Sequence, residues 1–101
     1  MRDFKLFGPN EEYHGVQIEF HTGLSWREIW IDKLENGKWS MDILVYGSYN
    51  EDIRFETLDE LIDSLVNTWR MDKPKAEEVR KECKKITHLI SVSEKPAISK
   101  E

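Results

Sequence analysis

The chain is poor in cysteine, in long apolar runs and in clustered glycine, and each shortage removes a class of function. Its one thiol, Cys83, cannot close an intramolecular disulfide, which excludes a disulfide-stapled scaffold and fits a reducing cytoplasm. No apolar run approaches the roughly 18 residues of a membrane span, and Met1-Arg2-Asp3-Phe4 lacks the apolar stretch of a secretory signal. The glycines (Gly8, Gly15, Gly23, Gly37 and Gly47) stand singly at turns rather than clustered before a helix, so no phosphate-cradling loop is present. No serine sits in a Gly-x-Ser-x-Gly elbow. His14 and His21 have opposite strand parity, and no Cys or His pair has metal-ligand spacing. Asn50-Glu51-Asp52 offers too few oxygens for a calcium loop. We therefore expect no metal, no cofactor and no catalysis.

What the chain does hold is charge and aromatic bulk. Its 101 residues are 35% charged and 11% aromatic, with four Trp, four Phe and three Tyr, a composition for one folded domain rather than disorder. The net charge of -5 is unevenly laid out. Residues 1–50 carry five bases against eight acids, residues 51–72 two against seven, and residues 73–101 eight against five. An acidic middle disfavours direct nucleic-acid binding. The basic residues Lys75, Arg80, Lys81, Lys84 and Lys85 are interleaved with Glu77, Glu78 and Glu82, which would repel the same phosphates.

Residues 1–56 read as strands. Phe4–Phe7 is a short run stopped by Gly8-Pro9-Asn10. Val16, Ile18 and Phe20 alternate with Gln17, Glu19 and His21, the period of a half-buried strand. Ser25–Lys33 and Lys38–Tyr46 flank Asn36-Gly37, the strongest short hairpin signal. With those two as the turn, partners sum to 73, so Trp30 faces Ile43. Trp26, Trp30, Trp39, Met41 and Ile43 then share a face, expected under a helix, while Ile29, Ile31, Leu44 and Tyr46 are left partly open. A three-residue turn with a glycine bulge would alter this register.

The helices follow. Thr57-Leu58-Asp59-Glu60 fits a capping box, and Leu58, Leu61, Ile62, Leu65, Val66 and Trp69 form one stripe at three- and four-residue spacing. A second helix is expected from Pro74, with Ala76, Val79, Cys83, Ile86 and Ile90 as a narrow seam. Cys83 on that seam reads as a small buried hydrophobe, not a nucleophile. The fold class is α+β: a four- to five-stranded, mostly antiparallel sheet followed by two α-helices. One domain spans 1–90, with a C-terminal tail over 91–101.

Six carboxylates, Glu51, Asp52, Glu56, Asp59, Glu60 and Asp63, fall within thirteen residues and are offset only by Arg54. Dipole complementarity accounts for acids in the first turn of a helix but not for the rest. Clustered like charge costs stability and focuses field toward a basic partner. With Trp30 and Tyr46 as desolvated anchors, these residues are the expected partner-binding set. The layout resembles that of small acidic inhibitor proteins, such as toxin-immunity proteins and phage-encoded blockers of nucleic-acid enzymes. That likeness lies in layout alone and transfers no residue roles. The expectation is a cytoplasmic, non-catalytic protein that binds and neutralises a basic partner, such as a nuclease or other nucleic-acid-binding protein or a toxin. The alternative is a self-associating assembly module, a homodimer among its forms. A small enzyme comes third, and its mark would be Glu28 and His21 converging in one cleft.

Overall fold

A computed structural model describes residues 3–91 of the chain. Five strands are followed by two helices, the α+β order that the sequence predicts. The strands are β1 (Lys5–Phe7), β2 (Val16–Thr22), β3 (Ser25–Lys33), β4 (Trp39–Val45) and β5 (Ser48–Phe55). They form one antiparallel meander in chain order, with β1 and β5 at the edges. The helices are α1 (Leu58–Asn67) and α2 (Lys73–Cys83). Of the expected 91–101 tail, everything after Ser91 lies outside the described residues.

The central hairpin corrects the sequence register. Leu34 donates its N–H to the Lys38 carbonyl at 2.9 Å, and Gly37 donates to Leu34 at 3.0 Å, which closes a three-residue turn over Glu35-Asn36-Gly37. Gly37 takes φ 87, the left-handed position of such a turn, and Asn36 Oδ1 accepts the Lys38 N–H at 2.9 Å. Trp30 therefore faces Asp42, not Ile43. A shift of one residue turns every side chain of β4 over. Trp39, Met41 and Ile43 join Ile29 and Ile31 under the helices, while Trp26 and Trp30 fall on the other face. The expected sharing of one face by all three indoles is thus wrong, and so is the expected exposure of Ile29 and Ile31.

The core lies between one sheet face and the two helices. Val16, Ile18, Ile29, Ile31, Met41 and Ile43 meet Leu61, Leu65 and Val79, all fully enclosed. The α1 start is built as read: Thr57 Oγ1 accepts the Glu60 N–H at 3.2 Å, and Glu60 Oε1 accepts the Thr57 N–H at 3.1 Å. In α2, Pro74 opens the first turn and Ala76, Val79 and Cys83 are buried.

The second helix is shorter than its seam suggested. It ends at Cys83, after which Lys85 and Ile86 make three-residue turns onto Glu82 and Cys83. Ile86 and Ile90 still reach the core, but from an irregular segment. Ile90 bridges to Leu34 in parallel, donating to the Lys33 carbonyl and accepting from the Glu35 N–H, both at 2.9 Å.

Candidate functional site

Among the described residues, neither helix lies on the second face of the sheet. Alternation along the strands assigns it Glu19 and His21 from β2, and Trp26, Glu28, Trp30 and Asp32 from β3. Ser40, Asp42 and Leu44 come from β4, and Asp52 and Arg54 from β5. Five carboxylates stand here against Lys5 and Arg54. Two cross-strand pairs are carboxylate facing carboxylate: Glu19 opposite Glu28, and Asp42 opposite Asp52. Like charges directly opposed destabilise a sheet, so folding alone does not favour this arrangement.

The carboxylates form two levels. Asp32 and Asp42 are 4% and 2% exposed, while Glu19, Glu28 and Asp52 remain half-buried and reach solvent. Arg54 holds Asp52 at 3.0 Å, and Ser40 Oγ donates to Asp52 Oδ1 at 3.4 Å. The paired carboxylates act back on Arg54: its hydrogen bond to Asp52 holds the guanidinium pKa above its ordinary value. Trp30 donates its indole N–H to Glu28 at 3.0 Å.

The loop between β1 and β2 brings a third ring to this face. Asn10 Oδ1 accepts the N–H groups of Glu12 and Tyr13 at 2.8 and 3.1 Å, an Asx turn that folds the loop back. Tyr13 then packs against Trp30, with ring centroids 4.8 Å apart and the rings tilted by 50°, and donates its O–H to Asp32 at 2.7 Å. The result is a surface of carboxylates interleaved with the rings of Tyr13, Trp26 and Trp30. Its signal in sequence was the shared parity of these residues, which only the correct register converts into one face.

The expected 51–63 set is dispersed. Asp52 and Trp30 stand on the second face. Glu51 is exposed and pairs in register with Ile43 of the first face. Glu56 is bridged to Lys38 at 2.8 Å, Asp59 to Arg80, and Glu60 is spent on the helix cap. Asp63 is exposed on α1. Tyr46 is exposed in the β4–β5 turn at one end of the sheet. His21 shares the second face with Glu28 but lines a groove at its end in which Glu28 takes no part. Among the described residues no three of His, Cys, Asp and Glu gather as metal ligands, and no helix is long and apolar enough to cross a membrane.

Cys83 is buried against the core, and that burial pushes its thiol from 9.0 up to about 12. The folded state therefore keeps the proton that the unfolded chain releases above pH 9. Stability attributable to this group is full below pH 9. It then falls by about 1.4 kcal/mol per pH unit until the folded thiol itself ionises. Urea melts should show the wild type losing stability relative to Cys83→Ala with that slope between pH 9 and pH 11, and no such change between pH 8 and pH 9. The thiol should react with iodoacetamide only as fast as the protein opens.

No protein-family model, curated protein or solved structure matches this chain.

Proposed function

We propose that the protein is a non-catalytic binding protein that engages a basic protein partner through the second face of its sheet, and neutralises it by occupying an anion-binding surface. The observation that carries this reading is the facing pair of Glu19 and Glu28, both reaching solvent on a sheet face that neither helix covers. A surface that spends stability on like-charge contacts is explained by a partner that relieves them.

The rings indicate what kind of partner. Proteins that hold single-stranded nucleic acid combine a positive groove for the backbone with platforms on which bases stack. Carboxylates interleaved with the rings of Tyr13, Trp26 and Trp30 offer both anions and π-faces to such a groove. A nuclease or other nucleic-acid-acting enzyme is the partner this chemistry fits. The indoles also supply the desolvated contact area that long-range charge cannot.

Affinity capture from lysate of the source organism, nuclease-treated and run at low and high salt, would supply the partner for kinetic work. In that complex, Glu19→Lys with Glu28→Lys should slow association about tenfold or more at low ionic strength and flatten its salt dependence. Asp59→Lys with Asp63→Lys, on α1, should change association far less. Unchanged association in the Glu19/Glu28 variant would overturn the reading. A loss confined to the α1 variant would return the site to the 51–63 carboxylates.

A further inference from the structure

Two histidines far apart in the chain meet at the surface. The ring centroids of His14 and His88 are 4.2 Å apart, with the rings tilted by 39°. Both residues are exposed, and side chains so placed contribute little to folding. His14 also meets the Tyr13 ring, at 6.1 Å between centroids. Among the described residues, neither imidazole has a hydrogen bond or an ion pair, so neither is committed elsewhere.

The backbones that carry the two rings are held in place. His14 stands between Tyr13, whose O–H is bonded to Asp32, and Gly15, which is buried beside the Ile31 carbonyl. His88 lies two residues before Ile90, which donates to the Lys33 carbonyl and accepts from the Glu35 N–H. Both segments are thus anchored on the end of β3 and the turn after it, which brings the rings together. Such an arrangement is pre-organised: little further order is lost when both rings grip one ligand.

The spacing suits a metal ion. An imidazole ligates a first-row ion at about 2.0 Å, so two rings on one ion have centroids roughly 4.5 Å apart at a ligand angle of about 90°, and roughly 5.2 Å apart at about 109°. The observed 4.2 Å falls just short of the first, a gap that small rotations of exposed rings close. We propose that His14 and His88 form a two-imidazole site for a divalent transition-metal ion of the nickel or zinc kind, with water in its other positions. Nitrogen donors suit Ni²⁺ and Zn²⁺, whereas Mg²⁺ and Ca²⁺ call for oxygen ligands, and this pair supplies none. Among the described residues no third His, Cys, Asp or Glu joins the two, so the ion is held weakly, with Kd roughly in the tens of micromolar. Bound there, it ties the loop between β1 and β2 to the segment after α2. The acidic face contributes no ligand, which makes this inference independent of the proposed function.

Isothermal titration of the untagged full chain with Ni²⁺ and, separately, with Zn²⁺ reads the site directly. The wild type should take up one ion with that affinity, and Mg²⁺ should not bind. His14→Asn and His88→Asn should each weaken uptake at least about tenfold, because each leaves a single ligand. His21→Asn, elsewhere on the sheet, should bind as the wild type does. Urea melts give a second readout: excess Ni²⁺ should raise the midpoints of the wild type and His21→Asn, and leave those of His14→Asn and His88→Asn where they stand without metal. A wild type that takes up neither ion more tightly than about 1 mM overturns the proposal. So does uptake that survives intact in either His14→Asn or His88→Asn, or uptake that His21→Asn alone removes.

Discussion

Replacing Gly15 with alanine should cost about 3 kcal/mol of folding stability, a large effect for one added methyl. Gly15 is buried just before β2, and its φ lies outside the left-handed region, so the reason is space rather than backbone freedom. A Cβ there would overlap the Ile31 carbonyl oxygen, come within 2.6 Å of Asp32 Oδ1 and within 2.9 Å of the Tyr13 ring. The carbonyl belongs to the middle of the sheet and cannot retreat without bending β3. Tyr13 and Asp32 can move, but only by giving up the hydrogen bond that closes the loop over Trp30. Gly8→Ala is the control: the atoms nearest its methyl belong to the flexible Glu82 side chain, which can rotate away at the cost of its bridge to Lys85. Urea melts should show a sharply lower midpoint for Gly15→Ala and a change within about 0.5 kcal/mol for Gly8→Ala. Equal midpoints would mean that the loop does not press on the sheet, and the supporting role of Tyr13 at the acidic face would go with it.

Local chemistry was legible in the sequence wherever a signal was complete within a few residues. The α1 cap needed only Thr57 and Glu60, and its buried side followed from the spacing of Leu61, Ile62 and Leu65. The alternation of β2 likewise placed Val16, Ile18 and Phe20 inside. The failures share a different cause. Asn36-Gly37 serves a two-residue turn and a three-residue turn equally well, and nothing local decides between them. That single choice reversed β4 and moved Trp39 away from Trp30. Ile86 and Ile90 fit helical spacing, yet the chain leaves the helix because main-chain bonds to Lys33 and Glu35 lie far away in sequence. The acidic face was hidden for the same reason. Glu19, Glu28, Asp42 and Asp52 sit on four strands, and only the register makes them two facing pairs. The run over 51–63, conspicuous in the sequence, is instead divided among a helix cap, two bridges to distant bases and a bond to Arg54.

The two indoles of the central hairpin should then respond in opposite ways. Trp39 is buried beneath the helices, and the Lys33 ammonium lies 5.5 Å from its ring centroid. Trp39→Ala removes a large enclosed side chain and should cost about 3–5 kcal/mol. For a single domain of this size, that approaches the whole of a typical stability of about 5–15 kcal/mol, so much of the variant should be unfolded at 37 °C. Trp30 is half-buried on the other face, against the Tyr13 ring, and bonded to Glu28. Trp30→Ala should cost less than about 2 kcal/mol, because no core cavity opens and water can reach the vacated side. A register with Trp30 opposite Ile43 would make the two losses comparable, so melts of the two variants test the hairpin turn directly. The same pair separates folding from function. A folded Trp30→Ala protein should associate with a basic partner at the wild-type rate, because its charges are intact, yet dissociate faster for want of the ring. Slower association instead would mean that Trp30 organises the carboxylates around it, through Glu28, rather than touching the partner itself.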